Sequence, residues 1–237
     1  MMFGFDPLYF IIIAPALLLA GWAQMRVRSA YTHGMQEPAN LSGAAAARYI
    51  LDEGGLHDVP VEEVPGELSD HYDPSTRTVR LSSGVYHTRS LAAVGIAAHE
   101  VGHALQHAHN YGPMALRAMA VPAATAGPWI FLVMFFAGLF LSASAPALGH
   151  SLIWIGIIAY SGVAVFQLIN LPVEFDASNR AKRLLDEMNI VDPQGLLVVR
   201  DVLNAAAWTY VAATLQAVLT VLYYVIRFGG IGSSRDE

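Results

Sequence analysis

Ser90-Leu91-Ala92-Ala93-Val94-Gly95-Ile96-Ala97-Ala98-His99-Glu100-Val101-Gly102-His103-Ala104-Leu105-Gln106-His107 is small, apolar and alanine-rich, with a few polar residues set into it. No proline follows until Pro113, and Ser90 is a good N-cap, so the run predicts a buried helix. On such a helix, residues four apart share a face, and His99 and His103 can offer imidazole nitrogens to one metal ion. Glu100 is rotated about 100° from His99, too far to join easily as a ligand but close enough to reach a water on the ion. Two ligands and a general base at this spacing are the arrangement of a zinc peptidase. The five-residue pattern alone is short enough to arise by chance. Its setting gives it weight, because ionisable side chains are rarely placed in an Ala/Val/Ile helix without a partner.

Composition widens the picture. Of the 237 residues, 55% are hydrophobic and only 14% charged, against roughly a quarter charged in soluble domains. A mean hydropathy of +0.45 points the same way, to a membrane protein. Cysteine is absent, which excludes disulfides and thiolate ligands and leaves histidine and carboxylate to hold metal. A net charge of −6 with no basic cluster gives no support for nucleic-acid binding.

Four apolar stretches are long enough to span a bilayer. The first, Leu8 to Met25, follows residues with no Lys or Arg and with Asp6. It lacks the basic start of a signal peptide and reads as an uncleaved anchor. Pro122 to Leu141 and Leu148 to Ile169 form a hairpin around the uncharged loop Ser142 to Ala147, with Pro172 expected to end the second span. The fourth lies within Asn204 to Arg227 and has aromatic residues near both ends. The expected organisation is an anchor (1–25), a polar α+β part carrying the motif helix (26–120), a transmembrane hairpin (121–170), a polar helical region (171–203), and a last span with a short tail (204–237). Within the polar part, a helix capped by Ser42 is stopped by Gly54-Gly55, and short strands are expected at Val59 to Val64 and Thr78 to Leu81. His71-Tyr72-Asp73 is read as leading into a turn at Asp73-Pro74-Ser75-Thr76. An edge strand beside the motif helix would let a substrate pair as an added strand.

Four spans put both polar regions on one side and both termini on the other. The polar side holds eleven of the thirteen lysines and arginines, the exceptions being Arg227 and Arg235. The positive-inside rule then places the motif helix in the cytoplasm of a bacterial-type cell membrane, with both termini external.

A catalytic zinc requires a third protein ligand. His109 has the metzincin spacing, but Gln106 stands where that geometry needs a turn-forming glycine. His107 would lie about 12 Å along the axis from His99. Glu174 is the better candidate, since the hairpin returns the chain to the same side and delivers it in what is expected to be the first turn of a new helix. A solvated glutamate favoured there by the helix dipole is the competing reading. Arg180, Arg183, Asn204 and Tyr210 lie downstream of Glu174, where a transition-state stabiliser could come from. His57, His71, His87 and His150 read as structural or exposed.

His99-Glu100-Val101-Gly102-His103, Asp70-His71-Tyr72-Asp73-Pro74, Leu81-Ser82, the hydrophobic hairpin and Leu171-Pro172-Val173-Glu174-Phe175-Asp176-Ala177-Ser178 together resemble the YugP-like membrane zinc metallopeptidases. More distantly the chain is similar to the HtpX-type and CAAX prenyl endopeptidases, which are gluzincins. The resemblance covers nearly the whole chain. It implies that His99, His103 and Glu174 ligate one Zn2+ per chain, with Glu100 as the catalytic base. The wider group carries an aspartate four residues after the glutamate ligand to orient a histidine. Here that position is Ser178, a weaker orienter, while Asp176 lies about 200° around the helix from Glu174. The expected fold is a mainly α integral membrane protein: four transmembrane helices with a small α+β zincin-like metallopeptidase domain. The expected function is hydrolysis of peptide bonds in membrane-associated polypeptides at the cytoplasmic face, and a non-catalytic zinc-binding sensor or scaffold is the alternative.

Overall fold

The computed structural model describes residues 6–229. Seven α-helices and three strands follow in the order α1 (Pro7–Gln36), α2 (Gly43–Glu53), β1 (Val61–Val64), β2 (His71–Asp73), β3 (Thr78–Ser82), α3 (Ser83–His87), α4 (Leu91–Ala108), α5 (Gly112–Leu141), α6 (Pro146–Glu187) and α7 (Pro193–Phe228). The expected outer sidedness of the two ends concerns residues outside those described. The chain divides into two compact units.

The first unit comprises Trp22–Ala115 and Pro172–Thr209. Its core is centred on α4, where Val94, Ala97, Ala98 and Val101 are fully buried. Ile50 and Leu51 of α2, Val79 and Leu81 of β3, and Leu185 and Val199 of α6 and α7 belong to the same core. Small residues let neighbouring elements approach α4 closely: a Cβ built on Gly95 would stand 3.0 Å from a Val199 methyl. Ser42 and Ser90 cap α2 and α4 by accepting from the Ala45 and Ala93 amides, as expected of them.

The sheet has the order β1-β3-β2, with β1 parallel and β2 antiparallel to β3. His71-Tyr72-Asp73 does lead into a turn, and it is in addition a strand. Three residues are too few to show a period of two, and pairing with Thr78–Arg80 makes the strand. The following turn is closed by Asp73, which accepts from the Ser75 amide and hydroxyl, the Thr76 hydroxyl and Arg80. These bonds hold the Asp73 carboxyl well below the usual carboxylate range, Ser75 contributing most.

The second unit is made of the described residues of 1–21, 116–171 and 210–237. α1, α5, α6 and α7 are each long and apolar enough to cross a membrane. Ile11, Leu18, Trp129, Val133, Phe140 and Ile158 are exposed, an outward apolar face that suits lipid rather than water. The hairpin closes through small residues. A Cβ on Gly138 would lie 2.6 Å from the Gly149 carbonyl, and one on Gly127 2.6 Å from the Ala159 carbonyl, so α5 and α6 meet backbone to backbone. Tyr223 donates to Asp6 at 2.8 Å, tying the entry of α1 to the last turns of α7.

Every long helix extends beyond its apolar stretch. α1 continues past Met25 to Gln36 because Ala30 packs on Ala92, Val202 and Ala205. α7 begins at Pro193 rather than Asn204, with proline at a first-turn position and Asp192 accepting from the Gly195 amide. Most consequentially, Pro172 does not end a helix: α6 runs through it for 42 residues. Proline removes one hydrogen bond, but the fully buried Val173, Ala177, Ala181 and Leu185 that follow hold the helix together.

Candidate metal centre

α4 presents His99 and His103 on one face, one turn apart, with ring centroids separated by 4.8 Å. α6 crosses that face at Gly102. A Cβ at this position would lie 2.7 Å from the Ala177 carbonyl oxygen and 3.1 Å from its Cα, so only glycine permits the approach. The crossing brings Glu174, one turn before Ala177, against both histidines. Its Oε2 is 3.3 Å from His99 Nε2 and 3.5 Å from His103 Nε2. The three ligand atoms all lie within 4.8 Å of one another, and the side chains are 12%, 8% and 4% exposed for His99, His103 and Glu174.

The outer nitrogens of both rings are already engaged. His99 Nδ1 is 3.1 Å from Ser178 Oγ, and His103 Nδ1 is 2.9 Å from Gln106 Oε1. Both Nε2 atoms are thereby left facing Glu174, as metal-ligating histidines require. Two imidazoles and a carboxylate converging in a buried pocket fit a zinc ion that keeps a fourth position open. Burial by itself would push the His103 imidazole down, but the Glu174 carboxylate at Nε2 and the nearby Glu100 charge outweigh it and hold His103 above the ordinary histidine value.

Glu174 sits in the interior of a continuous helix and not in the first turn of a new one, so the favourable dipole of a helix start plays no part there. Ser178, one turn on, places its Oγ against His99 Nδ1. Glu100 is buried, 7% exposed, one residue beyond His99. Arg180 is turned to Asp176, with Nε donating to Oδ2, and lies over the Tyr111 ring with 5.7 Å to its centroid. Arg183 is exposed and faces Glu187 at 3.9 Å, while Asn204 accepts from Lys182 at 3.1 Å. Both border an open cavity shared with Asn179, Asp186 and Arg200, apart from the histidines. Tyr210 lies on α7 in the apolar unit, where its carbonyl accepts from Thr214.

Neither alternative histidine joins the cluster. α4 runs straight through Gln106 to Ala108, and His109 caps its exposed end, so the turn a metzincin needs is missing. His107 instead meets the Tyr72 hydroxyl of β2 at 2.9 Å. His57, His87 and His150 pair locally with Asp52, Glu63 and Trp154, and His71 is exposed on β2.

Two residues escaped the sequence reading. Gln106 is a fully buried polar residue between Leu105 and His107, and a glutamine on so apolar a helix is the one signal of it in the sequence. Asp176, on the far side of α6 from Glu174, is brought into contact by the length of the Gln106 side chain, whose Nε2 donates to Asp176 Oδ2 at 2.8 Å.

The family model described as "Putative neutral zinc metallopeptidase" matches residues 9–229. The chain is also 42% identical over 232 residues to "Putative membrane protease YugP" of Bacillus subtilis (strain 168), covering 97% of this chain and 99% of the relative. No solved structure matches. With a family match over nearly the whole length and a His99, His103 and Glu174 cluster able to hold a metal, the chain belongs to the zinc metallopeptidase family that this model describes.

Proposed function

We propose that this protein is a membrane-embedded, zinc-dependent endopeptidase of gluzincin type, with a zincin-like domain and its active site on the cytoplasmic face. The observation that carries the reading is the convergence of His99 Nε2, His103 Nε2 and Glu174 Oε2 beside Glu100. The three residues would hold one Zn2+ per chain. Zinc bound there supplies a Lewis acid that polarises the scissile carbonyl and acidifies water. Glu100, following His99 in the H-E-x-x-H pattern, accepts the proton of the attacking water on a carboxylate oxygen and returns it to the leaving amine. Ser178 and Gln106 keep the histidine rings turned so that their Nε2 atoms stay available.

β2 is an edge strand bonded to the motif helix through Tyr72 and His107, so its free side supports binding of an extended polypeptide by strand addition. Four apolar helices and the basic residues of both polar regions support substrates drawn from membrane proteins near the cytoplasmic surface. The test is Glu100→Gln in purified protein. The substitution is nearly isosteric but cannot accept the proton, so zinc content is expected to stay at one per chain. Hydrolysis of an unfolded or membrane-derived polypeptide should fall about 10²–10⁴-fold. Undiminished cleavage by a zinc-replete Glu100→Gln protein refutes the mechanism. Zinc binding by a wild type that cleaves nothing across a broad panel favours the sensor or scaffold reading.

A further inference from the structure

Gln106 is fully buried at the contact of α4 and α6. Its amide is satisfied on every side: Nε2 is 2.8 Å from the Val173 carbonyl and 2.8 Å from Asp176 Oδ2, and Oε1 is 2.9 Å from His103 Nδ1. A carbonyl and a carboxylate can only accept, so the NH2 group must face α6 and the oxygen must face the ring. An amide oxygen only accepts in turn, so His103 carries a proton on Nδ1, and the neutral ring therefore has its lone pair on Nε2, the atom aimed at Glu174. Asp176 is itself fixed by Arg180, whose Nε donates to the same Oδ2. The chain of bonds from Arg180 through Asp176 and Gln106 to His103 has one consistent assignment of donors and acceptors.

We propose that Gln106 and Asp176 are positioning residues for the metal. Through Gln106, which bonds to both, the Asp176 carboxylate selects the zinc-binding tautomer of His103 and fixes its ring. The relay also clamps α4 to α6 beside the Gly102 crossing, so the element supplying two ligands is held in register with the element supplying the third. This proposal rests on the reading that His99, His103 and Glu174 hold zinc.

The experiment is zinc titration of the full-length, chelator-stripped protein in detergent against a chromophoric competitor, with cobalt substitution to report ligand geometry by its visible absorption. Gln106→Met keeps the length of the side chain and removes the acceptor. It is expected to weaken zinc binding about 10–100-fold and to alter the cobalt spectrum. Asp176→Leu should weaken binding in the same direction, whereas Asp176→Asn, which keeps an acceptor for Gln106, should bind nearly as tightly as wild type. Wild-type affinity and spectrum in Gln106→Met overturn the proposal. If that variant fails to fold, equal affinities in Asp176→Leu and Asp176→Asn overturn it instead. His103→Ala separates the two levels: undiminished zinc binding there refutes the metal site itself, and the relay with it.

Discussion

Gly102→Ala tests whether the helix crossing builds the metal centre. An added Cβ would stand 2.7 Å from the Ala177 carbonyl oxygen, 3.2 Å from its carbonyl carbon and 3.1 Å from its Cα, all atoms of the opposing backbone. An ordinary carbon–oxygen contact is about 3.3 Å, so α6 must retreat by roughly 0.6 Å. No rotamer change relieves a clash with backbone. Overpacking of this kind costs about 1–3 kcal/mol, partly offset by the roughly 1 kcal/mol helix preference of alanine over glycine. The effect on the metal should exceed the effect on the fold. Zinc ligand distances tolerate about ±0.2 Å, and Glu174 lies only one turn before Ala177, so a retreat of α6 carries the third ligand out of range. Gly102→Ala is therefore expected to unfold at a slightly lower temperature yet bind zinc at least 10-fold more weakly in a chelator competition. Gly21→Ala, inside α1 with nothing within 4 Å of the added carbon, is the control and should melt no lower than wild type and leave zinc affinity unchanged. Wild-type zinc affinity in Gly102→Ala would refute the claim that this contact sets the ligand geometry.

The raised His103 imidazole predicts opposite pH profiles for apo and zinc-loaded protein. Without metal, its stabilisation is fully present below the unfolded histidine value of about 6.5 and is lost as pH rises through the higher folded value. With metal, protons compete for Nε2, so stabilisation by zinc grows over the same rise. The melting temperatures of chelated and zinc-replete protein should diverge as pH rises above the unfolded histidine value of about 6.5, and parallel profiles would contradict the assignment. For sidedness, a reporter inserted within Glu62 to Ser69 or after Asp201 should behave as cytoplasmic and one at Glu237 as external. A cytoplasmic Glu237 would remove the first or last span from the count.

What the sequence by itself determined was whatever depends on neighbours along the chain. Ser90 and the alanine run specify α4, His99 and His103 share a face by helical period alone, and a long apolar stretch needs no partner to read as a span. Even Glu174 could be named, because hairpin topology limits where the chain returns. The tertiary structure decided whatever depends on contact between distant segments. Pro172 looked like a terminator, since a proline's local cost is visible in sequence, while the burial of Val173, Ala177 and Ala181 that outweighs it is not. β2 exists only through its register with β3. The helices run past their apolar limits because Ala30 and Val202 find partners around α4. Gly102 gave no sign of its purpose until Ala177 was seen against it. Asp176 pointed away from Glu174 on the wheel of its own helix. It joined the site only because Gln106, on another helix, is long enough to reach it.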